Sequence, residues 1–173
     1  MSTTYPDPRT VTAREVLAGL RGIVEREQLD HVGYVGQEVD WQLAASGALC
    51  RGHRACVVGA TWLAGGIDPV RTRVGYYFEH WSYGLPGACA DHGDRLAWLE
   101  DRGYDGLRVA YEALNEAAQA YMDEHGLTVD STWAHAGPLE GLFESEDPAG
   151  YEGFLIEPRD MLVVIDRAEE LVA

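Results

Sequence analysis

All three cysteines and three of the six histidines of this chain fall between residues 50 and 92. Cys50-x-x-His53-x-x-Cys56 is followed by Cys89-x-x-His92. Zinc takes four thiolate or imidazole ligands, and two residues spaced in this way reach one ion from a single turn. Cys50, Cys56, Cys89 and His92 would make a closed structural zinc site, with His53 as a substitute fourth ligand. The competing reading is packing. Cys56 precedes Val57-Val58, where a cysteine acts as a small hydrophobe, and no Cys-x-x-Cys knuckle is present.

Other chemistry has weaker support in the residue types. Cys56 at a helix start, with His53 or His80 as base, has the parts of a thiol nucleophile, but an apolar setting would make it inert. His135, Asp130 and Ser131 have the side chains of a hydrolase triad without the Gly-x-Ser-x-Gly elbow that would present the serine. The acid pairs Asp91/Asp94, Glu100/Asp101 and Asp123/Glu124 read as solvated faces. The run Glu144-Ser145-Glu146-Asp147-Pro148 lacks the glycine and terminal glutamate of a calcium loop. Neither a Gly-x-Gly-x-x-Gly turn nor a Walker loop occurs, so the sequence indicates no nucleotide site.

Aromatic side chains give a different signal. Tyr76, Tyr77, Phe78, Trp81 and Tyr83 crowd one short segment. Rings of this kind anchor protein interfaces when exposed and fill cores when buried. These five are the candidate partner-binding residues.

Charge narrows the partner. The formal net charge is −16, and all 13 basic residues are arginine. Residues 1–86 hold 9 acids against 8 arginines, whereas residues 87–173 hold 20 acids against 5. The excess sits almost entirely in the second half. Such a surface repels phosphate backbones and anionic membranes, so direct nucleic-acid or membrane binding is not expected. A basic protein partner is compatible with it, as is mimicry of DNA by carboxylates. The absence of lysine, with abundant Ala and Gly, reads first as a GC-rich coding bias, with adaptation to high salt as the alternative.

The elements that must position these residues follow from length and periodicity. A chain of 173 residues fits one domain, 1–173, and buries roughly 70% of its unfolded surface without help from disulfides or metal. No apolar run reaches membrane-spanning length and no secretory pattern opens the chain. Together with the odd cysteine count, this predicts a cytoplasmic protein. Residues 1–10 are expected to be extended. Thr12-Ala13-Arg14-Glu15 forms a capping box, and Val16, Leu17, Leu20, Ile23 and Val24 recur at helical spacing, predicting a helix over 12–28. A buried helix over 54–64 closes on Gly65-Gly66. A short helix over 94–102 follows, and then a long one from Asp105, as its cap, to His125, with an apolar stripe from Leu107 to Met122 and with Glu112, Glu116, Asp123 and Glu124 on the opposite side. Residues 127–157 read as a long acidic surface loop with a short strand near Phe154-Leu155-Ile156. A last helix over 158–172 opens on Pro158, with Met161, Leu162, Ile165, Ala168 and Val172 facing the core. The first and last helices are both expected to pack on the Cys56 helix. The predicted fold is mainly α: a compact bundle of four to five helices with long loops and at most a minor β element.

The opening Ala-Arg-Glu-Val-Leu-x-x-Leu-x-x-Ile helix, which runs from Ala13 to Ile23, and Cys56-Val57-Val58-Gly59-Ala60 resemble a family of small actinobacterial and actinophage proteins of unknown function. That family carries a Cys-x-x-Gly-Ala helix and a later Trp-Asn-Asp-like stretch. Leu96-Ala97-Trp98-Leu99-Glu100-Asp101 stands at the corresponding place without the Asn-Asp pair. The resemblance covers residues 12–125 and implies a helical fold and a bacterial or bacteriophage source, with no activity attached. Three functional expectations result: a non-enzymatic module that binds another protein, a DNA-mimicking inhibitor, and a zinc-supported domain or enzyme.

Overall fold

The structure is a computed structural model and describes residues 6–29, 56–67, 91–129, 137–143, 145–146, 152–153 and 156–173. Among these it is mainly helical. The elements are α1 (Ala13–Glu25), α2 (Val57–Ala64), α3 (His92–Asp101), α4 (Asp105–His125), α5 (Pro138–Phe143) and α6 (Met161–Leu171), the last entered through a 3-10 turn at Pro158–Asp160. A two-residue antiparallel ladder pairs β1 (Ser145–Glu146) with β2 (Glu152–Gly153), Ser145 opposite Gly153. No described helix is long and apolar enough to cross a membrane.

The capping box at the start of α1 is formed as the sequence predicts. Glu15 N–H donates to Thr12 Oγ1 at 3.3 Å, and Thr12 N–H donates to Glu15 Oε2 at 2.8 Å. Val16, Leu17, Leu20, Ile23 and Val24 are all buried. The helix stops at Glu25, three residues earlier than expected. Glu27 turns left-handed at φ 57, and the Gln28 and Glu27 amides close back on the Ile23 and Val24 carbonyls. This is the Schellman closure usually built on glycine.

The second helix has no polar side. Every residue from Val57 to Leu63 is buried, as expected of a helix enclosed by others. Cys56 is its N-cap, with Sγ accepting the Gly59 N–H at 3.3 Å. Gly66, at φ +86, closes the helix, and a side chain there would begin 1.9 Å from the Pro6 carbonyl oxygen. The predicted start at residue 54 lies outside the described residues.

At the centre is α4, which packs against α6, α1, α5 and α3. Its inner stripe is Leu107, Ala110, Tyr111, Leu114, Ala117, Ala118, Tyr121 and Met122. Ion pairs brace the bundle from outside: Arg21 joins Asp166 at 2.6 Å and Glu169 at 3.1 Å, and Arg167 grips Glu124 with both terminal nitrogens.

Several expectations are corrected. Tyr104, not Asp105, is the N-cap of α4, and it makes no side-chain cap bond. The last helix packs chiefly on α4 and α1 rather than on the Cys56 helix. Its buried face is Met161, Val164, Ile165 and Ala168, with Leu162 and Val172 only partly covered. The largest correction concerns 127–157. This stretch is not all surface loop, because α5 lies within it with Leu139, Glu140, Gly141, Leu142 and Phe143 buried. Six residues are too few to display a helical period, and Pro138, which opens the helix, reads in sequence as a turn. The strand in this region falls at Glu152–Gly153; Phe154 and Leu155 lie outside the described residues.

Candidate functional site: an acidic groove above a buried ion pair

The most polar part of the described interior lies where α3, α4 and α5 meet. Arg95 and Leu99 share one face of α3, four residues apart, and both are fully buried against α4. The Arg95 guanidinium donates through Nη1 to the Glu140 carboxylate on α5 and to Tyr111 Oη at 3.2 Å. The two charged side chains are 0% and 2% exposed. Burying a guanidinium and a carboxylate costs several kcal/mol each in desolvation, and their mutual attraction offsets this only when further hydrogen bonds complete the set. Here Tyr111 supplies one, and Arg95 has partners beyond these two.

Around this pair the chain is fixed by hydrogen bonds and close contacts. Asn115 Nδ2 donates to the Tyr111 carbonyl at 2.8 Å, and its Oδ1 accepts the Leu139 N–H at 3.1 Å. One α4 side chain thus satisfies an otherwise open amide at the start of α5. Gly137, at φ +97, carries the chain over this point. A Cβ there would lie 2.9 Å from Asn115 Oδ1 and 3.1 Å from His92 Nδ1. The His92 and Trp62 rings flank Tyr111, with centroids 5.3 Å and 5.4 Å away.

Two titrations respond to this setting. Burial raises the Tyr111 phenol, and the neighbouring Arg95 charge works against that rise. Burial also lowers His92; Arg95 lowers it further, while Glu112 opposes them. His92 Nδ1 is enclosed and has no hydrogen-bond partner among the described residues. Both groups therefore favour the neutral form.

Above the cluster runs a groove of about 540 Å³. Leu96, Ala120 and Pro138 give it apolar lining, and His92, Asn115 and Gln119 add neutral polar groups. Its carboxylates are Glu112, Glu116 and Asp123. With Gln119, these acids form an exposed stripe at positions i, i+4, i+7 and i+11 of α4, spanning about 16 Å along the axis. Arg108 holds Glu112 at 2.9 Å, and Gln119 holds Asp123 at 2.8 Å. Glu116 has no hydrogen-bond or ion-pair partner among the described residues. The groove thus offers acceptors and apolar contact to a cationic, partly apolar ligand.

No family model matches the chain, and neither a curated protein nor a solved structure is similar to it.

Of the five zinc candidates, Cys56 and His92 are described. Cys56 is buried as the cap of α2, and His92 packs on Tyr111 at the groove. Cys50, His53 and Cys89 lie outside the described residues. Among those that are described, no three His, Cys, Asp or Glu side chains gather as a metal site. The aromatic candidates Tyr76, Tyr77, Phe78, Trp81 and Tyr83 also lie outside, as do His80, Asp130, Ser131 and His135. Sequence reasoning missed Arg95, Glu140 and Asn115 altogether. It read Glu112, Glu116 and Asp123 as the outer side of a helix, which they are, without the neighbouring α3 and Pro138 that turn that side into a groove.

Proposed function

We propose that this protein is a non-enzymatic interaction module that docks another protein on the face formed by α3, α4 and Pro138. One observation carries the reading: the outer side of α4 is not a plain solvated surface but one wall of an open groove. Apolar Leu96, Ala120 and Pro138 share that groove with exposed carboxylates. An interface needs apolar area to desolvate and polar groups to fix register, and this face offers both. The buried Arg95–Glu140 pair acts as scaffold, since it holds the two flanking helices at a fixed distance from α4.

The test places a photoreactive side chain at Ala120, in the groove, or at Val163, which is 41% exposed on α6. Irradiation in the source cell should give a discrete protein adduct from position 120 and none from position 163. Absence of a position-specific adduct would refute the docking face.

A further inference from the structure

The occupant of the groove follows from its charge pattern, on the reading that the groove is a docking face. We infer that it accepts a basic amphipathic helix of about three turns, supplied by a partner protein, with arginine or lysine facing the acid stripe and apolar residues facing Leu96, Ala120 and Pro138. The stripe Glu112, Glu116, Gln119 and Asp123 repeats at the spacing of a helix face. A second helix lying along α4 presents side chains at the same repeat, which is the helix-in-groove mode of recognition.

Among the described residues, three of the protein's own arginines are committed elsewhere. Arg21 is taken by Asp166 and Glu169, Arg167 by Glu124, and Arg95 by Glu140. Among the described residues, Arg108 alone is paired with a groove acid, and it serves Glu112 at one end. Glu116 and Asp123 receive no cation from the described residues. A basic partner supplies charge that matches them. The surplus of acids in residues 87–173 also draws a cationic partner towards this half of the molecule during encounter.

The probe is a fluorescent three-turn peptide with arginines along one stripe, leucines beside them and alanine elsewhere. Binding is followed by anisotropy against the full chain. The double variant Glu116→Gln/Asp123→Asn should weaken binding about tenfold or more. Glu25→Gln/Glu170→Gln removes the same charge from exposed positions on α1 and α6 and should leave binding within about twofold, the scale of a screened remote charge. Equal weakening by both pairs would reduce the attraction to net charge and overturn the inference. A peptide with glutamine in place of arginine separates the two levels. If it binds as tightly and Ala120→Arg displaces it, the docking face stands and the basic occupant is refuted. If Ala120→Arg affects no peptide, the docking face itself is refuted.

Discussion

Replacing Glu140 by glutamine keeps the shape of the side chain and removes its charge. Arg95 then sits in the interior with a full positive charge and a neutral neighbour. Both side chains are almost completely buried, so water cannot screen the loss. Breaking a buried pair by removing one partner costs about 3–5 kcal/mol. A domain of this size holds only about 5–15 kcal/mol in all, so Glu140→Gln should consume a large part of its stability. At about 2–4 °C per kcal/mol for this chain length, the melting temperature should fall on the order of 10 °C. Urea titration followed by far-ultraviolet circular dichroism measures the change directly. The double variant Arg95→Met/Glu140→Leu removes both charges and retains apolar volume. It should recover most of the loss, because an apolar replacement of a buried pair is often neutral or better. A cost below about 1 kcal/mol for Glu140→Gln, the value typical of an exposed pair, would refute the reasoning.

Three further predictions concern single positions. Glu27 adopts φ 57 at the end of α1, a conformation that costs a side-chain-bearing residue roughly 1–2 kcal/mol; Glu27→Gly should therefore raise stability by about 1 kcal/mol in urea, and a loss would contradict the Schellman closure. Gly137→Ala meets both a left-handed backbone and contact with Asn115 and His92; it should lower stability by about 2 kcal/mol and shift the His92 resonances in NMR, whereas unchanged resonances would contradict the close approach. His92 is lowered from 6.5 by burial, so below that pH the unfolded chain binds the proton more readily than the folded one. Stability should thus be fully present above about 6.5 and fall as pH drops below it. His92→Gln should flatten that part of the pH profile, and an unchanged slope would remove His92 as its source.

Legibility in the sequence followed the length and regularity of each element. The long helices α1, α4 and α6 were readable because their apolar residues repeat over three turns or more, and α2 because Gly65-Gly66 closes it. The six residues of α5 offer no period to read. The Arg95–Glu140 pair was hidden for a different reason. A charged residue on a helix reads as solvent-facing, and nothing local to Arg95 names a partner 45 residues away. The one available signal was its spacing from Leu99, which puts the arginine on the buried face of α3. The groove was half legible. Its acids lay in plain view as the outer side of α4, but of its apolar lining only Ala120 belongs to that helix; Leu96 and Pro138 are brought alongside by the tertiary fold.

The six-residue α5 also has a consequence for how the molecule opens. An isolated helix of that length is far below the size that persists in water. Its order is borrowed from Asn115, from Arg95 and from the cavity that Leu139, Leu142 and Phe143 fill. These supports come from two helices, Asn115 from α4 and Arg95 from α3, so α5 is expected to dock after α3 and α4 have met and to leave early in any partial opening. Its amides should exchange with deuterated solvent as one cooperative group, at a rate separate from that of the α4 centre. Each such excursion uncovers an arginine and three large apolar side chains together.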